Sequence, residues 1–333
     1  MKKMLSLLLI PALLASCGTF RASETSFIMD TVVTWDISHV SAGELIDMGI
    51  ATAEDCEGML SRFVDDSAVS LLNRDGELRH TELTQLLRIA EDVSAATDGA
   101  YDVTVAPLVS LWNVAHGGEG WAPPTEAEIA SLLPLVDHTK LGFTEGLPNL
   151  PEYTVTLPLA MDIDLGGIGK GWALGKSAQV IARRGGVGTV SFGGNIALIG
   201  RKDEKTDWRV GLKDPAAPET LAGILTLPSG IVAVSGGYER YAEHGGVRYH
   251  HILDPRTGYP ADTDIASAAV WVASADAKSG ALADALSTAL IVLGSEASAA
   301  LHASGQFDFE YVLILDDGSA VISDGLTGKY TEK

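Results

Sequence analysis

Short strand-like segments follow one another closely through the second half of the chain, and this spacing limits the fold class more than any other feature. Each segment is rich in β-branched or aromatic residues and is bounded by Gly, Pro, Asp or Asn. The segments are Tyr153–Leu157, Met161–Leu165, Gly188–Phe192, Ile196–Gly200, Trp208–Lys213, Gly223–Leu227, Ile231–Ser235 and Ile265–Val272. One helix is predicted among them, at Gly171–Arg184, closed by Gly185–Gly186.

Helical periodicity marks the first half of the chain instead. The predicted helices are Ala42–Phe63, Glu82–Ala96 and one opened by a capping box of Thr125 with Glu128, after a first strand at Ile28–Trp35. A helix at Asp276–Leu293 and a hairpin of Phe309–Leu315 with Ala320–Ser323 end the chain. This order is neither a regular alternation of strand and helix nor all β. It therefore predicts an α+β fold with a largely antiparallel sheet and packed helices.

The N-terminus has the pattern of a bacterial lipoprotein export signal. Basic Met1–Lys3 precedes an apolar run, Met4–Leu14, that is too short to span a bilayer, and Leu14-Ala15-Ser16 leads directly to Cys17. We therefore expect Cys17 to be lipidated and the mature protein to face the periplasm, anchored to a membrane; the alternative is an ordinary signal peptide with a chance cysteine. The predicted divisions are a signal peptide at 1–16, a lipid-anchored tether at 17–26 and a single domain at 27–333.

A formal net charge of −21 argues against binding to nucleic acid or to anionic lipid head groups. An anionic ligand would have to be captured locally, by glycine-rich backbone, selected basic side chains or a metal ion. The only cysteine besides Cys17 is Cys56, which we expect to be a small buried side chain without a disulfide partner.

A glycine-rich segment, Asp162–Gly171, leads into the predicted helix at Gly171–Arg184. Glycines before a helix N-terminus allow close approach of an anion to free N–H groups. The segment is not a P-loop, because Asp164 stands at the first glycine position and Gly171 replaces Ser/Thr, and Trp172 excludes a dinucleotide-binding fingerprint. The alternative is that the glycines serve only tight helix packing.

Asp284 is the only charged residue between Ala281 and Gly294, on a helix without an ordinary solvated face. A covered carboxylate needs a partner. One carboxylate with a hydroxyl from Thr288 or Ser287, a backbone carbonyl and ligand phosphates suits Mg²⁺. The alternative is an ion pair with a distant Arg, or a capped backbone group.

Two adjacent histidines, His250 and His251, precede an Asp-Pro-Arg-Thr-Gly turn at 254–258. Adjacent strand residues point to opposite faces, so only one of them can serve a site. A neutral imidazole there could accept a proton from an attacking hydroxyl. No zinc-like ligand spacing and no Gly-x-Ser-x-Gly elbow accompanies them, and Ser235–Gly237 alone is weak support for a nucleophile.

Several of these segments together resemble the ApbE family, the FAD:protein FMN transferases, over residues 27–300. The matching motifs are Met29–Thr31, Ser61–Phe63, Asp66–Ser67, Asn73, Thr97–Leu108, Asp164–Gly171, Gly193–Asn195, Ser235–Arg240, His251–Tyr259 and Ala283–Thr288. The resemblance implies a T-fold-like α+β domain. It also implies a magnesium-dependent enzyme, often a periplasmic lipoprotein, that uses FAD to attach FMN through a phosphoester to a Ser or Thr hydroxyl of a target protein.

The resemblance also implies roles for individual residues. The FAD site would be lined by Met29, Phe63, Ala100, Tyr101, Asp102, Asp164, Lys170, Ser235 and Arg256. The metal ligands would be the Gly167 carbonyl, Asp284, Thr288 and, less directly, Ser287. His251 would be the base, and Asp284 would share the catalytic role through the metal.

Three positions depart from the family pattern: Asp30 stands where Gly is usual, Phe63 where Tyr is usual and Asn195 where Asp is frequent. Phe63 can stack on the isoalloxazine ring but lacks the hydroxyl hydrogen bond. Asp30 adds negative charge near a diphosphate unless it faces solvent.

The resemblance implies a reaction in which Mg²⁺ neutralises the FAD diphosphate and the acceptor hydroxyl attacks the FMN-side phosphorus, releasing AMP. The expected acceptor is an exported or membrane redox protein with a Ser/Thr flavinylation site. Two alternatives stay open: a Mg²⁺-dependent FAD pyrophosphatase giving FMN and AMP, and a lipid-anchored FAD-binding protein without catalysis.

Overall fold

The computed structural model describes residues 20–114, 117–118, 120–145, 153–203 and 205–333. The strands are β1 Phe20–Ile28, β2 Thr31–His39, β3 Glu77–Arg79, β4 Gly142–Thr144, β5 Thr154–Thr156, β6 Val187–Phe192, β7 Asn195–Ile199, β8 Trp208–Asp214, β9 Ala217–Leu227, β10 Gly230–Gly236, β11 Tyr241–His244, β12 Val247–His250, β13 Ile265–Val272, β14 Glu310–Leu315, β15 Ala320–Ile322 and β16 Tyr330–Glu332. The helices are α1 Ala42–Leu60, α2 Ala68–Asp75, α3 Thr81–Ala96, α4 Ala106–Trp112, α5 Glu126–Leu132, α6 Gly169–Arg183, α7 Ala277–Leu293 and α8 Ser295–Ala303.

The predicted α+β class with a largely antiparallel sheet is confirmed. An eight-stranded sheet runs in the order β1-β2-β6-β7-β10-β13-β14-β15, and its neighbours pair antiparallel. Smaller sheets are formed by β16-β9-β8, by β3-β5-β4 and by β11-β12.

Side-chain alternation along the central strands buries both faces of the large sheet. On one face, Ile231 of β10 and Val270 of β13 join the main core together with residues of α6 and α7. On the other face, Val232 and Trp271 pack with residues of β8 and β9 in a second apolar cluster. The sheet is therefore the middle of three layers, which explains why its central strands are apolar without interruption.

Glycines allow α6 and α7 to approach at backbone distance. A Cβ on Gly171 would lie 2.0 Å from the Gly280 carbonyl oxygen, and one on Gly175 would lie 2.1 Å from the Asp276 carbonyl oxygen. Within the glycine-rich segment, Gly171 thus serves tight helix packing, as the alternative interpretation held, and Gly175, beyond that segment, does the same. The same approach brings Asp284 of α7 to the first turn of α6.

We expect Gly175→Ala to destabilise the fold by about 3 kcal/mol or more, because the new methyl group would overlap backbone atoms that cannot move aside. Gly58→Ala is the matched control, since Gly58 lies in α1 with nothing within 4 Å of an added Cβ. That change should stabilise by about 0.5–1 kcal/mol through helix propensity alone. Urea unfolding measures both; equal midpoints for Gly175→Ala and the native protein would contradict the close packing.

Several predicted elements match the structure closely. Helix α1 ends at Leu60 rather than Phe63, α3 and α7 differ from the prediction by one residue at the N-terminus, and β13 is identical. The capping box of Thr125 and Glu128 at α5 is present. Cys56 is buried and free, as expected, and its burial raises the pKa of the thiol to about 12.

Two strand predictions are wrong, and part of the predicted tether is paired in the sheet. The strand predicted at Ile28–Trp35 is a hairpin, in which β1 and β2 meet at a turn of Met29 and Asp30. Residues 20–26 of the predicted tether belong to β1, because their backbone pairs with β2. Met161–Leu165 is not a strand: the side chain of Asn73 bonds both the N–H and the carbonyl of Ile163, in place of a neighbouring strand. The predicted signal peptide and Cys17 lie outside the described residues.

Candidate active site

Asp284 lies at the centre of the candidate site and is 3 % exposed. Its Oδ2 accepts a hydrogen bond from the Gly171 backbone N–H at 2.8 Å, and its Oδ1 accepts one from the Asn195 side-chain amide at 2.8 Å. Gly171 lies in the first turn of α6, where N–H groups have no partner within the helix, and no side chain of the N-cap residue supplies one. Asp284 therefore caps a helix, which is the backbone alternative considered for this carboxylate. Each carboxylate oxygen still has a lone pair for a cation.

Three hydroxyl groups, those of Ser235, Ser287 and Thr288, form a hydrogen-bonded cluster that also bonds the Asp284 carbonyl. The Ser235 Oγ lies 2.8 Å from the Ser287 Oγ and 3.3 Å from the Thr288 Oγ1. The Ser287 hydroxyl donates to the Asp284 carbonyl at 2.9 Å, so Ser235 must donate to Ser287 and Thr288 to Ser235. Ser287 is 0 % exposed, whereas Thr288 is half-buried. Of the Ser287 and Thr288 hydroxyls, that of Thr288 is therefore the one that a ligand can reach.

The oxygen atoms at this point fit a hard divalent cation. Gly167 lies against Thr288 and Tyr101: an added Cβ would be 3.4 Å from the Thr288 Oγ1 and 3.4 Å from the Tyr101 Cε2. Within the described part of the chain no group of three His, Cys, Asp or Glu residues could hold a metal ion. A cation would thus depend on one carboxylate with hydroxyl, carbonyl and ligand oxygens, which is the habit of Mg²⁺.

The glycine-rich segment is held by its own charged residues. The Asp164 Oδ1 accepts the Gly166 N–H at 2.7 Å, and its Oδ2 lies 3.3 Å from the Arg62 Nη1. Lys170 donates from Nζ to the Gly166 carbonyl at 2.8 Å. Asp164 and Lys170 therefore both bond Gly166; their predicted contact with FAD stays a prediction. The role of Arg62 was missed, although its position beside Phe63 in a matching motif was a signal.

Met29 and Phe63 lie near the glycine-rich segment: the Met29 Cε would be 3.5 Å from a Cβ on Gly169, and Phe63 follows Arg62, which pairs with Asp164. Met29 and Asp30 have φ of 54° and 57°, in the left-handed region where Gly is the easiest residue and Asp is tolerated. Asp30 faces solvent, with its side chain 81 % exposed and 3.4 Å from the Arg240 Nη2. The added charge is therefore paired with Arg240. Phe63 is 80 % exposed, and the Arg62 guanidinium lies 5.2 Å from its ring centroid, so a planar ligand could stack on the face of the ring that Arg62 does not cover.

The other residues predicted to line the FAD site are buried or bonded to other parts of the protein. Ala100 and Tyr101 are buried, and burial raises the pKa of the Tyr101 hydroxyl well above its usual value. The Asp102 carboxylate accepts hydrogen bonds from the N–H and hydroxyl of Thr104 and from the His138 N–H, so its side chain serves the fold. Arg256 forms a two-point ion pair with Asp254. The structure does not present Asp102 and Arg256 as free side chains.

The two histidines have different surroundings. His250 uses both ring nitrogens within the protein, donating to the Ala261 carbonyl and accepting from the Ile252 N–H. The His251 Nδ1 donates to the Arg240 carbonyl at 3.0 Å, which leaves Nε2 as the proton acceptor. Burial, with smaller contributions from the positive charges of Lys170 and Arg240, lowers the pKa of His251 to about 4. His251 is therefore neutral at pH 7, in the state that can accept a proton.

Two further residues of the site were not among the predicted ligands. Asn195 was noted only as a departure, yet its amide contacts Asp284. Glu239 lies two residues after the Ser235–Gly237 segment. Loss of hydration of its carboxylate raises the pKa of the carboxyl, and the positive charges of Lys170, Lys213 and Arg240 oppose that rise. The Glu239 side chain is exposed to solvent, and its Oε1 would lie 3.4 Å from a Cβ on Gly194, beside Asn195.

Comparison with known proteins agrees with the resemblance. The model of the ApbE family matches residues 29–313. The chain is similar to the FAD:protein FMN transferase of Treponema pallidum (strain Nichols), with 34% identity over 264 residues covering 74% of this chain and 70% of that protein. It is also similar to the FAD:protein FMN transferase of Vibrio cholerae (strain O395), with 29% identity over 289 residues and coverage of 81% and 83%. Its fold is similar to the crystal structure of the ApbE protein of Thermotoga maritima, with a TM-score of 0.82, 30% identity and coverage of 94% and 100%.

Proposed function

The chain belongs to the ApbE family, and from this we propose that it transfers FMN from FAD to an acceptor protein, at a Ser or Thr hydroxyl, with release of AMP. The observation that carries the proposal is the position of Asp284. It is a buried carboxylate, held at the N-terminus of α6 beside Thr288 and the glycine-rich segment. A binding module without catalysis could keep this carboxylate to cap α6, but it would not need a neutral His251 with Nε2 as a proton acceptor.

Mg²⁺ would be held by Asp284, Thr288 and the Gly167 carbonyl, with Ser287 as a further candidate, and would supply neutralisation of the charge on the FAD diphosphate. FAD would lie along Met29, Phe63, Ala100 and Tyr101 toward Asp164, Lys170 and Ser235. The helix dipole at the start of α6 and the Lys170 ammonium favour an anion at that end, although the Gly169 and Gly171 N–H groups are already bonded to the Leu165 carbonyl and to Asp284. Asp102 and Arg256 would contribute by holding the surrounding loops.

The proposed transfer is a nucleophilic substitution at phosphorus. The acceptor oxygen forms a bond to the FMN-side phosphorus while the bond from that phosphorus to the bridging oxygen breaks, so the bridging oxygen leaves with AMP. His251 accepts the proton of the acceptor hydroxyl at Nε2, because Nδ1 is fixed as a donor to the Arg240 carbonyl. The products are AMP and a protein with FMN in phosphoester linkage.

The test is an incubation of the purified protein with FAD, Mg²⁺ and a candidate acceptor, namely an exported redox protein encoded by a neighbouring gene. Flavin fluorescence on the denatured acceptor, absent when the acceptor's Ser/Thr is replaced by Ala, supports transfer. Release of AMP without a labelled acceptor supports the pyrophosphatase alternative. Bound FAD with no AMP released would contradict both enzymatic functions.

The N-terminal sequence supports a lipid anchor at Cys17 and a location on the periplasmic side of a membrane. Among the described residues, no helix has the length and apolar character needed to cross a bilayer. We expect Cys17→Ser to move the protein from the membrane fraction to the soluble periplasmic fraction, because the thiol that carries the lipid is lost. Fractionation with immunoblotting measures this. A Cys17→Ser protein that stays with the membrane would contradict the anchor.

A further inference from the structure

A tight turn between β6 and β7 delivers Asn195 to the site. Gly193 and Gly194 have φ of 48° and 127°, a conformation that L side chains rarely adopt, and a Cβ on Gly193 would lie 2.0 Å from the Thr31 Oγ1. The turn is therefore seated against the start of β2. Asn195 follows as the first residue of β7 and is 2 % exposed. Its side chain is fixed in place by the fold before any ligand binds.

The orientation of the Asn195 amide is set by its two partners. Its Oδ1 accepts the Val234 backbone N–H at 3.3 Å, and its Nδ2 donates to the Asp284 Oδ1 at 2.8 Å. The reverse orientation would place the NH₂ against an N–H donor and the carbonyl against a carboxylate, which would lose both bonds. Asn195 can therefore present only a donor to Asp284.

Two bonds from separate elements hold the Asp284 carboxylate. Gly171 of α6 binds one oxygen and Asn195 of β7 binds the other, both at 2.8 Å. The terminal torsion of an aspartate is otherwise broad, so a single bond would leave the carboxylate plane free to turn. Partners of this kind around a metal ligand usually fix its orientation, and their loss lowers metal affinity about 10–100-fold.

We propose that Asn195 is a positioning residue, which orients the Asp284 carboxylate for a divalent cation without touching the cation or FAD itself. The inference rests on the proposed function in so far as the cation belongs to FMN transfer. A residue that served only folding would change the stability of the protein and leave the metal affinity of the folded protein unaltered.

The experiment compares Asn195→Ala, and Asn195→Ser in case the first variant does not fold, with Ser177→Ala as the matched control. Ser177 is buried on α6 and donates to the Gly49 carbonyl at 3.0 Å, away from Asp284. Mn²⁺ is titrated into the full chain, alone and with FAD, and free Mn²⁺ is counted by electron paramagnetic resonance. FAD affinity without metal is measured in EDTA by flavin fluorescence, and folding by thermal unfolding.

The expected result is Mn²⁺ affinity at least about tenfold weaker for both Asn195 variants, with FAD affinity in EDTA within about twofold of the native value. Ser177→Ala should lower the unfolding temperature and keep the native Mn²⁺ affinity. Native Mn²⁺ affinity in folded Asn195→Ala or Asn195→Ser, or no Mn²⁺ binding by the native protein, would overturn the inference. If the Mn²⁺ results are as expected and no acceptor is labelled, the inference stands and the proposed function fails.

Discussion

Replacing Asp284 by Ala should reduce FMN transfer about 1000-fold or more, since the variant loses the carboxylate that would hold Mg²⁺ and with it several kcal/mol of charge stabilisation. The change also leaves the Gly171 N–H and the Asn195 amide without acceptors, at a cost of about 1–3 kcal/mol each in stability. Initial rates of AMP release and acceptor labelling measure the first effect, and urea unfolding measures the second.

Asp276→Ala is the matched control, because it removes a carboxylate from the N-cap of the same helix. Asp276 accepts the Ser279 N–H at 2.9 Å, and its carboxylate forms no hydrogen bond with Ser235, Ser287 or Thr288. It should cost about 1 kcal/mol of stability and leave the transfer rate unchanged. If folded Asp284→Ala retained transfer within about tenfold of the native rate, Asp284 could not be the metal ligand of the reaction.

Replacing His251 by Gln should reduce transfer about 100- to 10 000-fold, the usual contribution of a positioned general base. Gln can still donate a hydrogen bond toward the Arg240 carbonyl, so the loop should stay folded while the proton acceptor is lost. FAD affinity should change little, because the role is in proton transfer. His250→Gln is the control, since both nitrogens of that ring serve the backbone. A transfer rate in His251→Gln close to the native rate would assign the base elsewhere, with Glu239, whose carboxyl pKa is raised, as a candidate.

The pH dependence follows from the lowered pKa of His251. Because that pKa is about 4 in the free protein, the imidazole is neutral well below pH 6.5, and the acid limb of kcat/KM should lie near pH 4 rather than near 6.5. Between pH 6.5 and 4 the unfolded chain binds a proton that the folded chain does not, so this group makes stability fall as the pH falls. Both effects should disappear in His251→Gln. An acid limb near 6.5 would show that the ring is as hydrated as an ordinary surface histidine.

The fold class followed from the sequence because the buried helices and central strands have strong apolar patterns. Helices α3 and α7 and strand β13 are apolar at regular spacing or throughout, and their predicted ranges hold to one residue. The polar, exposed strand β1 has no such pattern and was interpreted as a tether. Met161–Leu165 has the alternation of a strand, but its backbone bonds go to an asparagine side chain from a distant helix, which no local pattern records.

The sequence indicated which residues belong to the candidate site, but it did not indicate which hydrogen bonds they form. Burial of Asp284 followed from the sequence pattern and is confirmed. The pattern indicated only that one of His250 and His251 could serve the site; the family resemblance selected His251, and its role as base stays a prediction, although the hydrogen bonds leave it a ring nitrogen as proton acceptor. The partners of Asp284 are 113 and 89 positions away in the chain, so only the fold could reveal them. The same is true of one partner of Asp102: its Oδ2 accepts the N–H of His138, which is 36 positions away, while Oδ1 is bonded by the nearby Thr104. The metal and FAD assignments themselves stay predictions.

The most direct measurement is the ratio of AMP released to flavin bound on the acceptor, determined on one sample by chromatography and intact-protein mass spectrometry. Transfer from FAD predicts one AMP for each acceptor molecule that gains the mass of FMN less water, with neither product formed by Asp284→Ala. AMP in large excess over labelled acceptor, or an acceptor that gains flavin with no AMP, would contradict FMN transfer from FAD as the function of this site.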